Sequence, residues 1–261
     1  MISKREKRKI LSLHTKKGRQ KWNLFIGEGS RWLKTAYELG HRPIKIFVSQ
    51  NFRRSAFWET YLVGEEERIC IISDQEFQEI STTQHPEGVL GIFPFQKTWF
   101  SDFISQKKEI FPLIVLNEVQ DPGNLGTLIR TAFCFDFPTI LLDPLTADPF
   151  QPKAARASLG TLLGVNLVFS KDLQKDLEKL LSLGGVLYLT NPCQGKAVDS
   201  IEREPKGILL FGNEGRGIEK NLFSLPHSSL HIPMSPKAES LNITASAAII
   251  LFCFARKSKL I

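Results

Sequence analysis

Short apolar runs alternate with amphipathic stretches along the whole chain. In the first hundred residues the runs at 23–26, 44–49, 69–72 and 88–94 are too short for buried helices and read as strands. Between them, patterns of helical period predict helices over 5–16, 30–39, 55–62 and 74–80. Ser30 follows the turn Gly27-Glu28-Gly29 and is placed to cap its helix, and Gly40 to end it. After a mixed, partly polar stretch at 97–108 the alternation resumes. Strands are predicted at 112–116, 139–142, 165–169, 185–190, 207–211 and 230–233. Helices are predicted over 124–135, 153–159, 171–183 and about 240–257, with a helical turn at 218–223. These later strands are apolar almost throughout, as in a parallel sheet covered on both faces. The pattern predicts an α/β protein: a small N-terminal α/β/α domain at 1–96, a linker at 97–110, and a larger, mostly parallel-sheet domain at 111–261.

Composition changes this picture in one place. Of 261 residues, 42% are apolar and 23% charged, which excludes a disordered chain. The formal charge is +7, and it is local: residues 1–21 hold nine basic side chains against the single acid Glu6. Lys4, Arg5, Arg8, Lys9, Lys16, Lys17 and Arg19 are the candidate contacts to a polyanion, either nucleic acid or an anionic membrane surface. A solvated basic helix is the plainer reading of the same charge. The most apolar run, 245–255, is shorter than the roughly 18–20 residues of a membrane span. Lys257 and Lys259 follow it, as at the end of a buried C-terminal helix. The N-terminus lacks the apolar core of a signal peptide, so a cytoplasmic location is expected. Four scattered cysteines form no CxxC pair and five histidines show no ligand spacing, so neither disulfides nor a metal is expected.

Three loops, each at the C-terminal end of a predicted strand, carry candidate chemistry, because open α/β sheets bind ligands there. The first runs from Asn117 through Pro122-Gly123 to Asn124, which stands where a helix cap would. Arg130 follows on a helix that otherwise buries Leu125, Leu128, Ile129 and Ala132. The second, Gly212-Asn213-Glu214-Gly215-Arg216-Gly217, exposes backbone amides of the kind that cradle adenosine or phosphate. It is neither GxGxxG nor a P-loop. The third joins Ile232-Pro233-Met234 to a small-residue helix beginning near Ser240-Leu241-Asn242. Each alone fits an ordinary turn or packing helix.

Together, NEVQDPGNLGTLIRTA, FGNEGRGI and IPM with SLNITASAA closely resemble, in order, the three motifs of the SpoU family of RNA ribose 2′-O-methyltransferases. The segment 153–160 resembles another stretch of that family. Residues 5–94, through Glu28-Gly29 and PEGVLGIF, resemble its N-terminal substrate-binding domain. The resemblance implies a trefoil-knotted domain, S-adenosylmethionine as cofactor, a homodimer and an RNA substrate. Ribosomal RNA is favoured over transfer RNA on domain architecture. It implies that Gly212, Ile232 and Leu241 hold the cofactor, with Met234, Leu189 and Asn191 beside them. It assigns Arg130 and Asn124 to catalysis, with Glu214, Ser240 and Asn242 orienting them, and gives the basic N-terminus to RNA. One position departs: many relatives have glycine where this chain has Pro236, which fixes φ and removes a donor in that loop. A non-catalytic RNA-binding or ribosome-assembly protein on the same fold is the competing reading. An ordinary dinucleotide enzyme is disfavoured by the missing GxGxxG.

Overall fold

A computed structural model describes residues 2–106, 109–191, 194–201 and 204–256. In chain order, the first part carries α1 (Lys4–Ser12), α2 (Lys16–Trp22), β1 (Leu24–Glu28), α3 (Ser30–Glu38), β2 (Lys45–Ser49), β3 (Ile69–Ile72), α4 (Asp74–Ile80) and β4 (Val89–Pro94). Then come β5 (Thr98–Trp99), α5 (Phe100–Gln106), β6 (Leu113–Leu116), α6 (Pro122–Cys134), β7 (Thr139–Leu142), α7 (Pro152–Ala157), β8 (Asn166–Phe169) and α8 (Leu173–Ser182). The chain continues through β9 (Val186–Thr190), β10 (Lys196–Ala197), β11 (Gly207–Phe211), β12 (Ser228–His231) and α9 (Ile243–Arg256). Lys257 and Lys259 lie outside the described residues. No helix among the described residues is long and apolar enough to cross a membrane.

Two compact units emerge, one of residues 1–96 with 148–164, the other of 97–147 with 165–261. The stretch expected as a linker therefore contributes structure to the second unit: Thr98–Trp99 pairs in parallel with β8. Residues 148–164, expected within the larger domain, belong to the first unit.

In the first unit a mixed sheet runs β1-β4-β2-β3, with β4 antiparallel to both its neighbours. One face packs Ile10, Leu13, Phe47, Phe77 and Ile80. Phe25, Trp32, Phe93 and Phe150 form an aromatic cluster, with Trp32 and Phe93 ring centroids 4.9 Å apart. The helix expected over 5–16 is two helices. Thr15 Oγ1 accepts from the Gly18 N–H at 3.1 Å and caps α2. Only glycine fits at 18, where a Cβ would lie 1.9 Å from the Ser12 carbonyl oxygen. Ser30 does not cap α3: Gly29 holds that position, and the Ser30 N–H and hydroxyl both donate to Glu87 at 2.7 Å. α4 opens on a capping box between Ser73 and Glu76. The helix expected over 55–62 is present over 56–62, most of it wound as a π turn at Trp58–Leu62, and a separate 3-10 turn at Phe52–Arg54 precedes it.

Residues 148–164 are tied into this unit by polar groups. Trp32 Nε1 donates to the Ala155 carbonyl at 2.7 Å, and Arg156 donates to Thr82 Oγ1 at 2.8 Å. Arg19 is only 3% exposed; its guanidinium meets Asp148 at 2.7 Å and donates to the Leu13 and His14 carbonyls.

The second unit is an all-parallel sheet in the order β10-β12-β9-β11-β6-β7-β8-β5. Its strands β6, β7 and β11 are buried along their whole length, which explains why they are apolar apart from Thr139. The chain runs outward from β6 through β7 and β8, then returns on the other side with β11 beside β6. That reversal between β6 and β11 is a topological switch point, where loops diverge and leave a crevice.

Candidate active site

The loops after β6 and β11 flank the switch point. α6 starts two residues before Asn124: Asp121 is its cap, accepting from the Asn124 N–H at 2.8 Å, and Pro122 supplies the first turn. This corrects the cap assignment, and it frees the Asn124 side chain, whose amide donates to Glu214 Oε1 at 3.0 Å. Glu214 also accepts from the backbone N–H groups of Gln120 and Asp121 at 3.3 Å. One carboxylate thus joins the glycine-rich loop to the start of α6. Partial burial pushes its pKa up, but the Asn124 amide and the backbone donors around it outweigh that and hold it below the usual carboxylate range.

The glycine-rich loop is a tight, self-bonded turn. Asn213 and Gly217 exchange backbone hydrogen bonds at 2.9 and 3.0 Å, and Asn213 Oδ1 accepts from the N–H groups of Gly215 and Arg216. A Cβ on residue 212 would stand 2.4 Å from the Gly217 carbonyl carbon, so glycine is required where the loop doubles back. Arg216 pairs with Glu118 at 2.6 Å, and Asn213 donates to the Glu118 carbonyl at 2.8 Å, tying the loop again to the one after β6. Buried Asn117 supports both, accepting from the Glu219 N–H at 2.9 Å.

Beside this junction, at the C-terminal ends of the adjacent strands β9, β11 and β12, lies a cavity of about 340 Å³. That is within the range of about 300–1,000 Å³ typical of small-ligand sites. Thr190 and Asn191, Gly212 to Gly215, and Ile232 with Met234 line it from the three strand ends. Ser240 and Leu241 close it, and Ile243, Ser246 and Ile250 from one face of α9 floor it. Its lining holds two carboxylates, Glu214 and Glu239, and no Lys, Arg or His among the described residues. Such a lining suits a ligand with an apolar body and positive charge, and disfavours one bearing phosphates. Among the described residues there is no cluster of three or more metal-ligating side chains.

Of the residues expected to hold a cofactor, the cavity gathers Gly212, Ile232, Leu241, Asn191 and Met234. Leu189 is the exception: it is fully buried within β9, in the sheet core, and the next residue, Thr190, takes its place at the wall. Ile218, Ile243 and Ser246 fall inside the resembling motifs but carried no role there, and Thr190 and Ile250 lie outside them; the spacing 243, 246, 250 is the helical signal that points to the α9 face. Among the expected catalytic residues, Glu214 and Ser240 line the cavity. Asn242 instead precedes α9, its Oδ1 accepting from the Thr244 N–H at 2.8 Å, which is a capping role. Arg130 is exposed on α6, outside the cavity lining, with no hydrogen bond or ion pair among the described residues. Pro236 sits in a turn closed by the Ala238 N–H on the Ser235 carbonyl at 2.9 Å, a position its fixed φ suits. Of the basic N-terminal set, Lys4, Arg5, Arg8, Lys16 and Lys17 are exposed and Lys9 half-buried. Arg19 departs from expectation, being buried in the first unit and committed to Asp148.

An all-parallel α/β unit with a ligand cavity at its strand ends, following a smaller mixed-sheet unit, defines the class. The chain belongs to the SpoU rRNA methylase family, whose model matches residues 112–252. Residues 6–91 match the MRM3-like substrate binding domain. A 23S rRNA (guanosine-2′-O)-methyltransferase of Bacillus subtilis is 28% identical over 242 residues, covering 92% of each chain. An uncharacterized tRNA/rRNA methyltransferase of Synechocystis is 28% identical, covering 94% of this chain and 88% of that one. The AdoMet-bound rRNA methyltransferase from Sinorhizobium meliloti superposes with a TM-score of 0.81 at 26% identity, covering 100% of this chain and 98% of that one.

Proposed function

We propose that the protein transfers a methyl group from S-adenosylmethionine to a ribose 2′-hydroxyl of structured RNA, ribosomal RNA in preference to transfer RNA. The observation that carries this reading is the cavity: apolar walls, backbone-rich strand ends and carboxylates without cations fit an adenosine carrying a sulfonium. When bound, the cofactor supplies an activated methyl group. The chain's residues do the rest. Gly212, Ile232 and Leu241 offer backbone groups to the adenine, and Asn191 and Met234 border it. Glu214 holds Asn124 in place, and the Asn124 side chain positions the hydroxyl. Arg130, always protonated, stabilises the alkoxide as it forms and grips the neighbouring phosphate.

Arg130 lies outside the cavity of its own chain, which fits a dimer in which a second copy brings it to the site. α9 supports the dimer: Ala245, Ile249 and Phe252 form an exposed apolar stripe, and Phe252 meets Phe135 of the turn after α6 at 6.1 Å. The knotted threading of the C-terminal unit belongs to the same reading, as does a cytoplasmic location. The decisive experiment is methyl transfer from labelled cofactor to ribosomal RNA. Arg130→Ala is expected to lower the rate by about a hundredfold or more with cofactor binding unchanged. Transfer at the wild-type rate would remove Arg130 from the chemistry, and absence of transfer by the wild-type chain would leave the non-catalytic alternative.

A further inference from the structure

The basic N-terminus is not a uniform cationic surface. Arg19 is buried against Asp148, and Lys7 is paired with Glu79. Of what remains, Lys9 and Lys21 stand at one aromatic ring. Trp22, the last residue of α2, is 40% exposed although it is the type of side chain a folded chain normally covers. Two ammonium groups approach its ring, Lys9 Nζ from α1 at 4.6 Å and Lys21 Nζ at 5.2 Å. Arg5 lies one helical turn before Lys9 and is exposed, and Lys16 and Lys17 are exposed on the first turn of α2. Lys9 and Lys21 stand in the last turns of their helices, where the dipole favours them, but four other cations of the same helices do not. Lys4 and Arg5 on α1, and Lys16 and Lys17 on α2, occupy first turns, where the positive end of the helix dipole disfavours them.

We propose that Trp22 is a stacking platform for an unpaired RNA base, with Lys9 and Lys21 holding the phosphates on either side of it. The inference rests on the reading that the chain acts on RNA. An indole face accepts any base, and lysines already drawn to the ring are placed to turn to the phosphates flanking a stacked nucleotide. The site thus selects single-stranded or looped RNA over duplex, whose bases are already stacked on each other.

Stacking and phosphate contact leave different marks on salt dependence, which makes the proposal testable with the full-length protein and two fluorescent probes. One probe is an unpaired oligoribonucleotide and the other a duplex of the same length. Trp22→Ala is expected to weaken binding of the unpaired probe about tenfold at every salt concentration, with the slope of log affinity against log salt unchanged. Lys9→Ala is expected to reduce that slope by about 0.7. Trp22→Phe is expected to restore most of the lost affinity, and duplex binding to change less than twofold in all of these variants of Trp22. Unchanged affinity in Trp22→Ala, or an equal loss on duplex, overturns the proposal. So does binding to phosphatidylserine vesicles that Trp22→Ala abolishes while RNA affinity stays intact. Methyl transfer measured in parallel separates the two readings. Transfer with no effect of Trp22→Ala on binding sinks the platform alone. Loss of stacking without any transfer by the wild-type chain sinks the enzymatic reading alone.

Discussion

Glu214 illustrates how one side chain organises a site. Its carboxylate accepts from Asn124, Gln120 and Asp121, so three donors depend on its negative charge. Because its folded pKa is depressed, the stabilisation it provides is complete above the unfolded value of a glutamate and is lost as pH falls through the lower folded value. Glu214→Gln removes that pH-dependent contribution. Acid unfolding of the variant, followed by circular dichroism, should show a shallower loss of stability below about pH 4.5. Its methyl-transfer rate should fall about tenfold as Asn124 loses its anchor. Coincident acid-unfolding curves would mean the charge does not organise the junction. At this scale the motifs located the loops, but two assignments turned on neighbours they do not encode. Asn124 looked like a cap because it precedes the periodic apolar residues, yet Asp121 with Pro122 starts the helix earlier. Arg19 looked like a surface cation because its carboxylate partner is 129 residues away.

At the level of elements, most strands and helices could be read from periodicity because burial on two faces leaves an unbroken apolar run. The exceptions share a cause. Strands β5 and β10 are two residues each, too short to leave a periodic trace, and exist only through pairing with β8 and β12. α7 was predicted as a helix, but a helix looks the same whichever core it serves, so nothing local marked it as part of the first unit. The tie that holds it there is measurable. Asp148→Ala leaves the Arg19 guanidinium buried without its counter-charge, and should destabilise the protein by about 3 kcal/mol, read from chemical denaturation. A double variant, Arg19→Leu with Asp148→Ala, should recover much of that loss. No loss in the single variant would show the pair to be dispensable.

Across the whole molecule, charge and chemistry are separated along the chain: the basic surplus sits in the first unit, and the cavity and Arg130 in the second. The dimer reading has a sharper test than mass alone. Arg130→Ala keeps the cavity but lacks the guanidinium. Gly212→Ala keeps the guanidinium but forces the loop off Gly217, as its Cβ would meet backbone at 2.4 Å. If each site takes Arg130 from the other copy, mixing and re-equilibrating the two inactive variants should return about a quarter of wild-type methyl transfer. No recovery, in a mixture shown by sedimentation to form mixed dimers, would place Arg130 in its own chain's site.

Residues 148–164 also set an order on the birth of the protein. Proteins generally fold from the N-terminus as they are synthesised, domain by domain. Here the first unit cannot finish when its own leading residues are complete. Arg19 has no carboxylate, Trp32 Nε1 no acceptor and Phe25 no Phe150 until the chain has been translated through the β6 to β7 region and beyond. At about 5–20 residues per second, that is several seconds during which a basic, aromatic-rich, half-closed module is tethered to a ribosome.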